Sequence, residues 1–246
     1  MDAGRRLSLI VATTLFIETM DSTAIATSLP VIAEDLGTEP IALKLALTAY
    51  LLALAVFIPV SGWVADRFGA KRTFMLAIGV FLLGSLACAA SGTLEQMVAA
   101  RFLQGMGGAL MVPVGRLVLL RTVPKNELVQ ALSWLTIPAL VAPIIGPPVG
   151  GFIATYSDWR WIFLINLPMG ALGLVLAWRF VPDLREPVKP LDWTGFALSG
   201  LGLALALFGF SSLGRHMVST PVALGCLLLG LGGMAGYVWH ALRHPH

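Results

Sequence analysis

The stretch LSLIVATTLFIETMDSTAIATSL, residues 7–29, decides the fold class of this chain. It is long and apolar enough to cross a bilayer as one helix, because a hydrocarbon core needs about 20 mainly apolar residues. Comparable runs follow it, with short loops between most of them. We therefore predict an all-α integral membrane protein with eight spans, at residues 7–29, 41–63, 73–90, 94–120, 128–155, 161–181, 193–213 and 218–242.

The composition supports a membrane protein and argues against a soluble one. Hydrophobic residues make up 57% of the chain and charged residues 12%, against about 25% charged residues in soluble domains. The net charge of +3 comes from basic residues in short loop clusters, which indicates membrane topology and no nucleic-acid partner. The two cysteines, Cys88 and Cys226, have no metal-binding or redox spacing.

The loop Lys and Arg residues predict the orientation. With the N-terminus in the cytoplasm, eleven basic loop residues lie inside and three outside, as the positive-inside rule requires. The first group is Arg5, Arg6, Arg67, Lys71, Arg72, Arg121, Lys125, Arg179, Arg185, Lys189 and Arg243, and the second is Lys44, Arg160 and Arg215. We thus predict a multi-pass plasma-membrane protein (the inner membrane in a bacterium) with both ends of this chain in the cytoplasm.

One connection, PDLREPVKP at 182–190, is polar and rich in proline, unlike the other loops. We place a boundary there, with a six-helix bundle at 1–182, a cytoplasmic linker at 183–192 and two additional transmembrane helices at 193–246. The bundle is predicted to consist of two inverted three-helix repeats. The additional pair contains Gly232-x-x-x-Gly236, a spacing that lets helices approach closely.

Four ionisable residues are predicted to lie at membrane depth: Glu18, Asp21, Arg101 and Arg116. Such groups cost about 2.5–3.5 kcal/mol on insertion scales, so each is a functional candidate. Glu18 and Asp21 are three residues apart on one helix and share a face. Two carboxylates in a low dielectric do not both ionise readily, which suits a site that binds and releases a proton or meets a cationic substrate.

The fourth span places polar and small residues on one helix face. Gln104 follows Arg101 at i+3, while Gly105 and Gly108 permit close helix approach. A buried guanidinium needs acceptors and would polarise a carboxylate across the bundle. The alternative is an Arg that extends to the membrane interface, and for Arg116, nearer the cytoplasmic end, this alternative is favoured.

Two glycine-containing stretches have a specific pattern. GWVADRFGAKR at 62–72 joins the second and third spans, and its acid is expected to pair with a base or to cap the third helix. GPPVGG at 146–151 belongs to a proline-rich fifth span, which predicts a bent and closely packed helix. The candidates are Gly62, Asp66, Arg67, Gly69, Lys71 and Arg72 in the first stretch, and Gly146, Pro147, Gly150 and Gly151 in the second.

These stretches together resemble motifs of the major facilitator superfamily. GWVADRFGAKR resembles the signature between helices 2 and 3, G-x-L-a-D-r-x-G-r-k, with Ala70 where a base is usual. Arg101 with Gln104, Gly105 and Gly108 is similar to the helix 4 motif R-x-x-Q-G-x-g-a, whose Arg the family assigns to proton coupling. GPPVGG is similar to the helix 5 antiporter motif g-x-x-x-G-P-x-x-G-G, found more in exporters than in importers.

Two more runs resemble the drug:proton antiporters with fourteen helices. MDSTAIATSLP at 20–30 is similar to the helix 1 motif L-D-x-T-i-v-n-v-A-L-P, with Met20 for Leu and Ser28 for Ala. DWRWIFLINLP at 158–168 is similar to the helix 5–6 connection W-R-W-i-F-x-i-N-x-P. The resemblance implies a facilitator-type bundle, two inserted helices and a C-terminal six-helix bundle that this chain lacks. We expect a fragment or a truncated form, with assembly from two chains as the alternative.

The resemblance also implies proton-coupled multidrug efflux by alternating access, for small, mainly hydrophobic or cationic molecules. Asp21, with Glu18 as a second acid, would take the proton, Arg101 would tune its binding, and the 62–72 loop would gate the cytoplasmic face. The alternatives are an exporter of an endogenous metabolite or siderophore, and a non-transporting membrane sensor or assembly partner. We expect no enzymatic activity, no metal and no organic cofactor, with protons as the coupling ion. The expected partners are a small-molecule substrate, membrane lipid, and the missing C-terminal half or a second chain.

Overall fold

The computed structural model describes residues 3–185, 187, 190–213 and 218–243, and over these residues the chain is helical without strands. Eight helical segments are long and apolar enough to cross a membrane in this part of the chain, which confirms the predicted fold class. The helices are α1 (Ala3–Asp35), α2 (Pro40–Phe57), α3 (Ser61–Phe68), α4 (Ala70–Ala89), α5 (Leu94–Thr122), α6 (Leu128–Tyr156), α7 (Trp161–Leu164), α8 (Asn166–Phe180), α9 (Trp193–Leu213) and α10 (Thr220–Arg243).

Two of the eight spans are broken helices. The second span runs from Pro40 to Phe68 and contains a 3-10 turn at Ile58–Val60 between α2 and α3. Pro59 lies in this turn, and proline removes a backbone donor and crowds the preceding helical turn. The sixth span consists of α7 and α8, which meet at Ile165. This break places Asn166 at the start of α8, where it faces the interior of the bundle.

The proline-rich fifth span forms one uninterrupted helix, α6, with four prolines inside it. Its most extensive contacts are with α1. A methyl group added at Gly150 would collide with the backbone of Ala24, and one added at Gly146 would collide with the side chain of Thr23. The two glycines therefore allow α1 and α6 to approach at backbone distance.

The buried apolar side chains form two clusters at different depths in the bundle. The first apolar cluster includes Leu7, Val11, Phe74, Val118 and Ala177, and the second includes Ile25, Leu43, Met97, Trp159 and Phe163. Along α1, α4 and α5, buried polar residues occur between the two clusters. The fold thus encloses buried polar residues between the two apolar clusters.

The two additional helices pack mainly on each other, and α9 also contacts α2. The prediction that Gly232 and Gly236 form the close contact is wrong. Gly232 faces open space, whereas added methyl groups at Gly230 and Gly233 would approach the backbone of α9 at Gly202. Each residue turns the helix by about 100°, so a shift of one or two positions selects a different face.

Some predicted features lie outside the described residues. Among the topology-setting bases, Lys189 and Arg215 belong to this group, as does part of the predicted linker. The first residues of the predicted linker, 183–185, lie against the loop between α3 and α4. There the backbone N–H of Ala70 donates to the carbonyl oxygen of Leu184 at 3.1 Å.

Candidate functional site

A buried ion pair joins α1 to α5. The Nη1 atom of Arg101 lies 2.5 Å from Oδ2 of Asp21, and both side chains are 0% exposed. The same Nη1 donates to Oε1 of Gln104, also at 2.5 Å. Gln104 in turn donates through Nε2 to Oδ1 of Asp21 at 3.1 Å. Three of the residues proposed from the sequence thus form one closed network across two helices.

Two residues that were not proposed as site residues complete this network. Asn166 at the start of α8 donates through Nδ2 to Oδ1 of Asp21 at 2.7 Å. Ser85 of α4 accepts hydrogen bonds from Gln104 at 2.8 Å and from Asn166 at 3.2 Å. Both are 0% exposed. In the sequence, each of them is a polar residue within an apolar run, and Asn166 also belongs to the connection motif at 158–168. We call Asp21, Ser85, Arg101, Gln104 and Asn166 the polar layer.

The polar layer lies deep within the helices. Gln104 is ten residues after Leu94, the first residue of α5. At about 1.5 Å per residue this is roughly 15 Å along the helix axis, half of a hydrocarbon core of about 30 Å. The ion pair is therefore far from both ends of α5.

Aromatic rings complete the surroundings of Arg101. Its guanidinium carbon lies 4.5 Å from the ring centroid of Tyr50 and 5.8 Å from that of Phe163. The buried Nε and Nη2 atoms of Arg101 have no hydrogen-bond partner among the residues that the structure describes. Asp21 is the one acid within ion-pair distance of this cation among the described residues, and the ring faces supply weaker attraction.

Glu18 lies near the polar layer but outside its hydrogen-bond network. The hydroxyl of Tyr50 donates to its Oε1 atom at 3.3 Å, while its buried Oε2 atom has no hydrogen-bond partner in the described part of the chain. Gly108 leaves room for this contact, since an added methyl group would lie 2.9 Å from the Tyr50 hydroxyl. The fourth ionisable candidate, Arg116, has an exposed side chain. The structure thus gives the two acids of α1 different surroundings.

Small residues bring the helices of the polar layer together. An added methyl group at Gly105 would lie 2.7 Å from the carbonyl oxygen of Tyr50, and one at Gly84 would lie 2.5 Å from the backbone of Gln104. Close approach of α5 to α2 and α4 therefore sets the positions of Arg101 and Gln104.

The loop between α3 and α4 contains a second ion pair. Oδ1 of Asp66 lies 2.7 Å from Nη1 of Arg121 at the end of α5. Asp66 was predicted either to pair with a base or to cap the third helix. The structure shows the ion pair, and no side chain caps the start of α4. Gly69 adopts a φ of 92°, which is unfavourable for residues with a side chain.

The other candidates near this loop have separate surroundings. Lys71 donates through Nζ to the backbone carbonyl oxygen of Trp178 at 2.6 Å, which ties the loop to the end of α8. Gly62, Arg67 and Arg72 are exposed. The structure therefore joins Asp66 and Lys71 to neighbouring helices and leaves these three on the surface.

The residues of the antiporter-type stretch meet α1 on one side. Ser28 donates to the carbonyl oxygen of Gly150 at 3.1 Å, and Thr27 donates to that of Pro147 at 3.4 Å. Gly151 has open space where a side chain would be. The structure thus brings Gly146, Pro147 and Gly150 against the helix of the two acids, and it places Gly151 away from that contact.

A third polar contact lies at the opposite end of the bundle from the loop of Asp66. Arg160 lies 3.0 Å from Oδ2 of Asp35, and the indole N–H of Trp159 donates to the same oxygen at 3.0 Å. These bonds tie the end of α1 to the connection between α6 and α7. Together with the bonds of Ser28 and Thr27, they join the C-terminal part of α1 to the fifth span and to the connection that follows it.

The described residues contain no group of three or more His, Cys, Asp or Glu side chains placed to hold a metal ion. The buried Asp21 and Arg101 instead form an ion pair, and Glu18 accepts a hydrogen bond from Tyr50.

Comparison with known proteins identifies the family. Residues 11–242 match the sequence model of the Major Facilitator Superfamily. The chain belongs to this superfamily. The match covers all eight predicted spans except the first few residues, so it confirms the resemblance that the motifs indicated.

Two curated relatives come from Serratia proteamaculans and Yersinia enterocolitica. The chain is 41% identical over 235 residues to a Serratia proteamaculans protein named "Putative multidrug resistance protein MdtD". It is 42% identical over 236 residues to the protein of the same name from Yersinia enterocolitica. Each match covers 94% of this chain and 49% or 50% of the relative. The chain thus spans about half the length of the curated relatives that it matches.

Solved structures of superfamily transporters share the fold at low sequence identity. The peptide transporter PepTSo of the POT family superposes with a TM-score of 0.67 at 17% identity, over 95% of this chain and 52% of that one. A D-xylose-proton symporter gives 0.65 at 15% identity, over 96% of this chain and 67% of that one. The human organic anion transporter MFSD10 gives 0.64 at 15% identity, over 94% and 70%. The chain is therefore a multi-pass membrane protein with the fold of superfamily transporters.

Proposed function

We propose that this superfamily member takes part in proton-driven export of small, mainly hydrophobic or cationic molecules by alternating access. The observation that carries the proposal is the buried Asp21–Arg101 ion pair on facing helices, 0% exposed on both sides. Charged groups within a membrane helix are costly, and they are characteristic of ion and proton pathways. The relatives named as multidrug resistance proteins support a drug as the transported molecule.

Proton binding to an acid of α1 would change the charge at the centre of the bundle. Asp21 faces Arg101 of α5, and Glu18 faces Tyr50 of α2, so a change of charge alters contacts between helices. Such a change shifts the equilibrium between conformations only if the two conformations hold the proton with different affinity. In the inward-open state the acids would face the cytoplasm, and in the outward-open state they would face the outer side. These different surroundings would give the two states different proton affinities.

The close contact of α1 with α6 would transmit the change. Gly146 and Gly150 allow backbone contact with α1, and the hydroxyl of Ser28 bonds to Gly150. A shift of α1 therefore moves α6 with it. At the cytoplasmic face, separation of Asp66 from Arg121 would accompany opening.

A second six-helix bundle would form the other wall of the substrate cavity. The chain spans about half the length of its curated relatives, which accommodates such a bundle in the whole transporter. In this proposal α9 and α10 are the helices inserted between the two bundles, and both ends of the present chain lie in the cytoplasm.

Inside-out vesicles that contain the complete gene product test the proposal, with ethidium as the probe. A pH gradient with an acidic vesicle lumen should drive ethidium into the lumen. Collapse of this gradient with nigericin should stop ethidium uptake. Arg101→Gln should abolish the gradient-dependent uptake, because it leaves Asp21 without its cation. The matched control is Lys125→Gln, which removes an exposed loop charge and should transport normally. Uptake that is indifferent to the gradient would refute proton coupling.

A further inference from the structure

The two acids of α1 differ in how their charge is compensated. Asp21 receives three hydrogen bonds, from Arg101 at 2.5 Å, Asn166 at 2.7 Å and Gln104 at 3.1 Å. Among the described residues, Glu18 receives one, from the Tyr50 hydroxyl at 3.3 Å, and its buried Oε2 atom has no partner. One acid is therefore fully compensated, and the other is not.

The charged groups around Glu18 do not supply a counter-ion. On its own helix the neighbouring charge is Asp21, and from α2 the facing titratable group is Tyr50. From α5, Arg116 is within electrostatic reach but forms no ion pair with Glu18 in the described structure. The sequence of α6 contains no Asp, Glu, Lys, Arg or His, and α8 contains only Arg179, near its far end.

Building on the proposed function, we propose that Glu18 is the residue that takes up and releases the transported proton, while Asp21 serves as the ion-pair partner of Arg101. In this step a proton from water adds to the free Oε2 atom of Glu18 and converts the carboxylate to a neutral acid. Tyr50 continues to donate to Oε1. The proton leaves to water on the opposite side, so no further reactant is needed.

The charge balance favours this division of roles. A proton on Asp21 would leave Arg101 as a buried cation without a counter-ion. The cost would be high because two nitrogen atoms of Arg101 already lack hydrogen-bond partners among the described residues. A proton on Glu18 instead removes an unpaired charge from an apolar environment. The total charge of the two acids and Arg101 is then zero.

Glu18 also lies near the middle of α1, one helical turn before Asp21. The Tyr50 side chain, with its ring against Arg101 and its hydroxyl on Glu18, connects this site to the polar layer.

Labelling with dicyclohexylcarbodiimide tests the assignment without any substrate. This apolar reagent adds to protonated carboxyl groups, and peptide mass spectrometry locates the adduct. In membranes that contain the complete gene product, we expect the adduct on Glu18, with a yield that falls about tenfold per pH unit above its titration midpoint. Asp21 should remain unlabelled over the same range, and Glu18→Gln should remove the adduct.

The outcomes separate this inference from the proposed function. An adduct on Asp21 in preference to Glu18, or no pH-dependent adduct on either acid, would overturn the assignment. Glu18→Asp keeps the acid if Glu18→Gln fails to insert, and its adduct should appear at the same position. Failure of gradient-driven ethidium uptake alongside pH-dependent labelling of Glu18 would refute the transport proposal and leave the proton site standing.

Discussion

Removal of one member of the buried ion pair should destabilise the bundle more than removal of both. Asp21→Asn leaves Arg101 as an uncompensated buried cation, and Arg101→Gln leaves Asp21 as an uncompensated buried anion. Either loss costs about 3–5 kcal/mol of unfolding free energy. At roughly 2–4 °C per kcal/mol for a chain of this size, the melting temperature should fall on the order of 10 °C.

The double variant Asp21→Asn with Arg101→Gln should recover most of this loss. Both new side chains are neutral amides that retain hydrogen-bonding capacity toward Gln104 and Asn166. The coupling energy from the double-mutant cycle should therefore be large and favourable. The matched control is Glu18→Gln, which alters a carboxylate of the same helix without an ion-pair partner in the described structure and should not lower the melting temperature.

Cys88 provides a reporter at the site itself. Its thiol is buried and lies 3.8 Å from Oε1 of Gln104. In a Cys226→Ala background it is the single thiol of this chain, so a fluorogenic maleimide should react only when heating opens the polar layer. Equal melting of both single variants and the control would refute the electrostatic argument. A double variant that loses the sum of the two single effects would do the same.

Three further expectations follow from the helix contacts and the loop charges. Gly150→Ala should lower the melting temperature by the equivalent of about 1–3 kcal/mol, because its methyl group meets the backbone of α1, while Gly151→Ala, in open space, should not. Arg121→Gln should change stability by less than about 1 kcal/mol, because the pair that it breaks is partly exposed, yet slow ethidium export; normal export would count against a gating role. Cysteines introduced at the exposed Lys125 and Ser157 should react with a membrane-impermeant maleimide from the cytoplasmic and the outer side respectively, and reversed labelling would contradict the orientation.

Hydropathy and charge predicted the spans well, because the bilayer imposes one length and one polarity on every crossing helix. The second and sixth spans were predicted in place, but the break at Pro59 and the one at Ile165 were not. A local break depends on how neighbouring helices satisfy freed backbone groups, which a single run of sequence does not contain. The close contact of α9 with α10 was assigned to the wrong glycines of α10. The position of α9 determines which face of α10 is in contact, and the sequence of α10 alone does not contain that information.

The members of the polar layer were predictable to different degrees. Asp21, Arg101 and Gln104 stood out because charged and amide groups are rare in apolar helices. Ser85 did not, because a serine satisfies its hydroxyl within its own helix at little cost, and only the fold places it beside Gln104. Asn166 was visible in the connection motif, but its role depended on the break that turns α8 toward Asp21.

The arrangement of contacts supports the proposed coupling of charge at this site to motion. Within the bundle, α1 packs extensively on α6, and α5 packs extensively on α2 and α4, whereas α1 packs much less extensively on α2 and α5. The Asp21–Arg101 pair and the Glu18–Tyr50 bond both cross this smaller contact. A change of charge there acts where little apolar packing opposes it, whereas the glycine contacts keep α1 and α6 together. Neutralisation of Glu18 should therefore shift α1 and α6 as one unit against α2, α4 and α5, and spin labels on α6 and α2 should report a distance change that Glu18→Gln alone reproduces without a pH change.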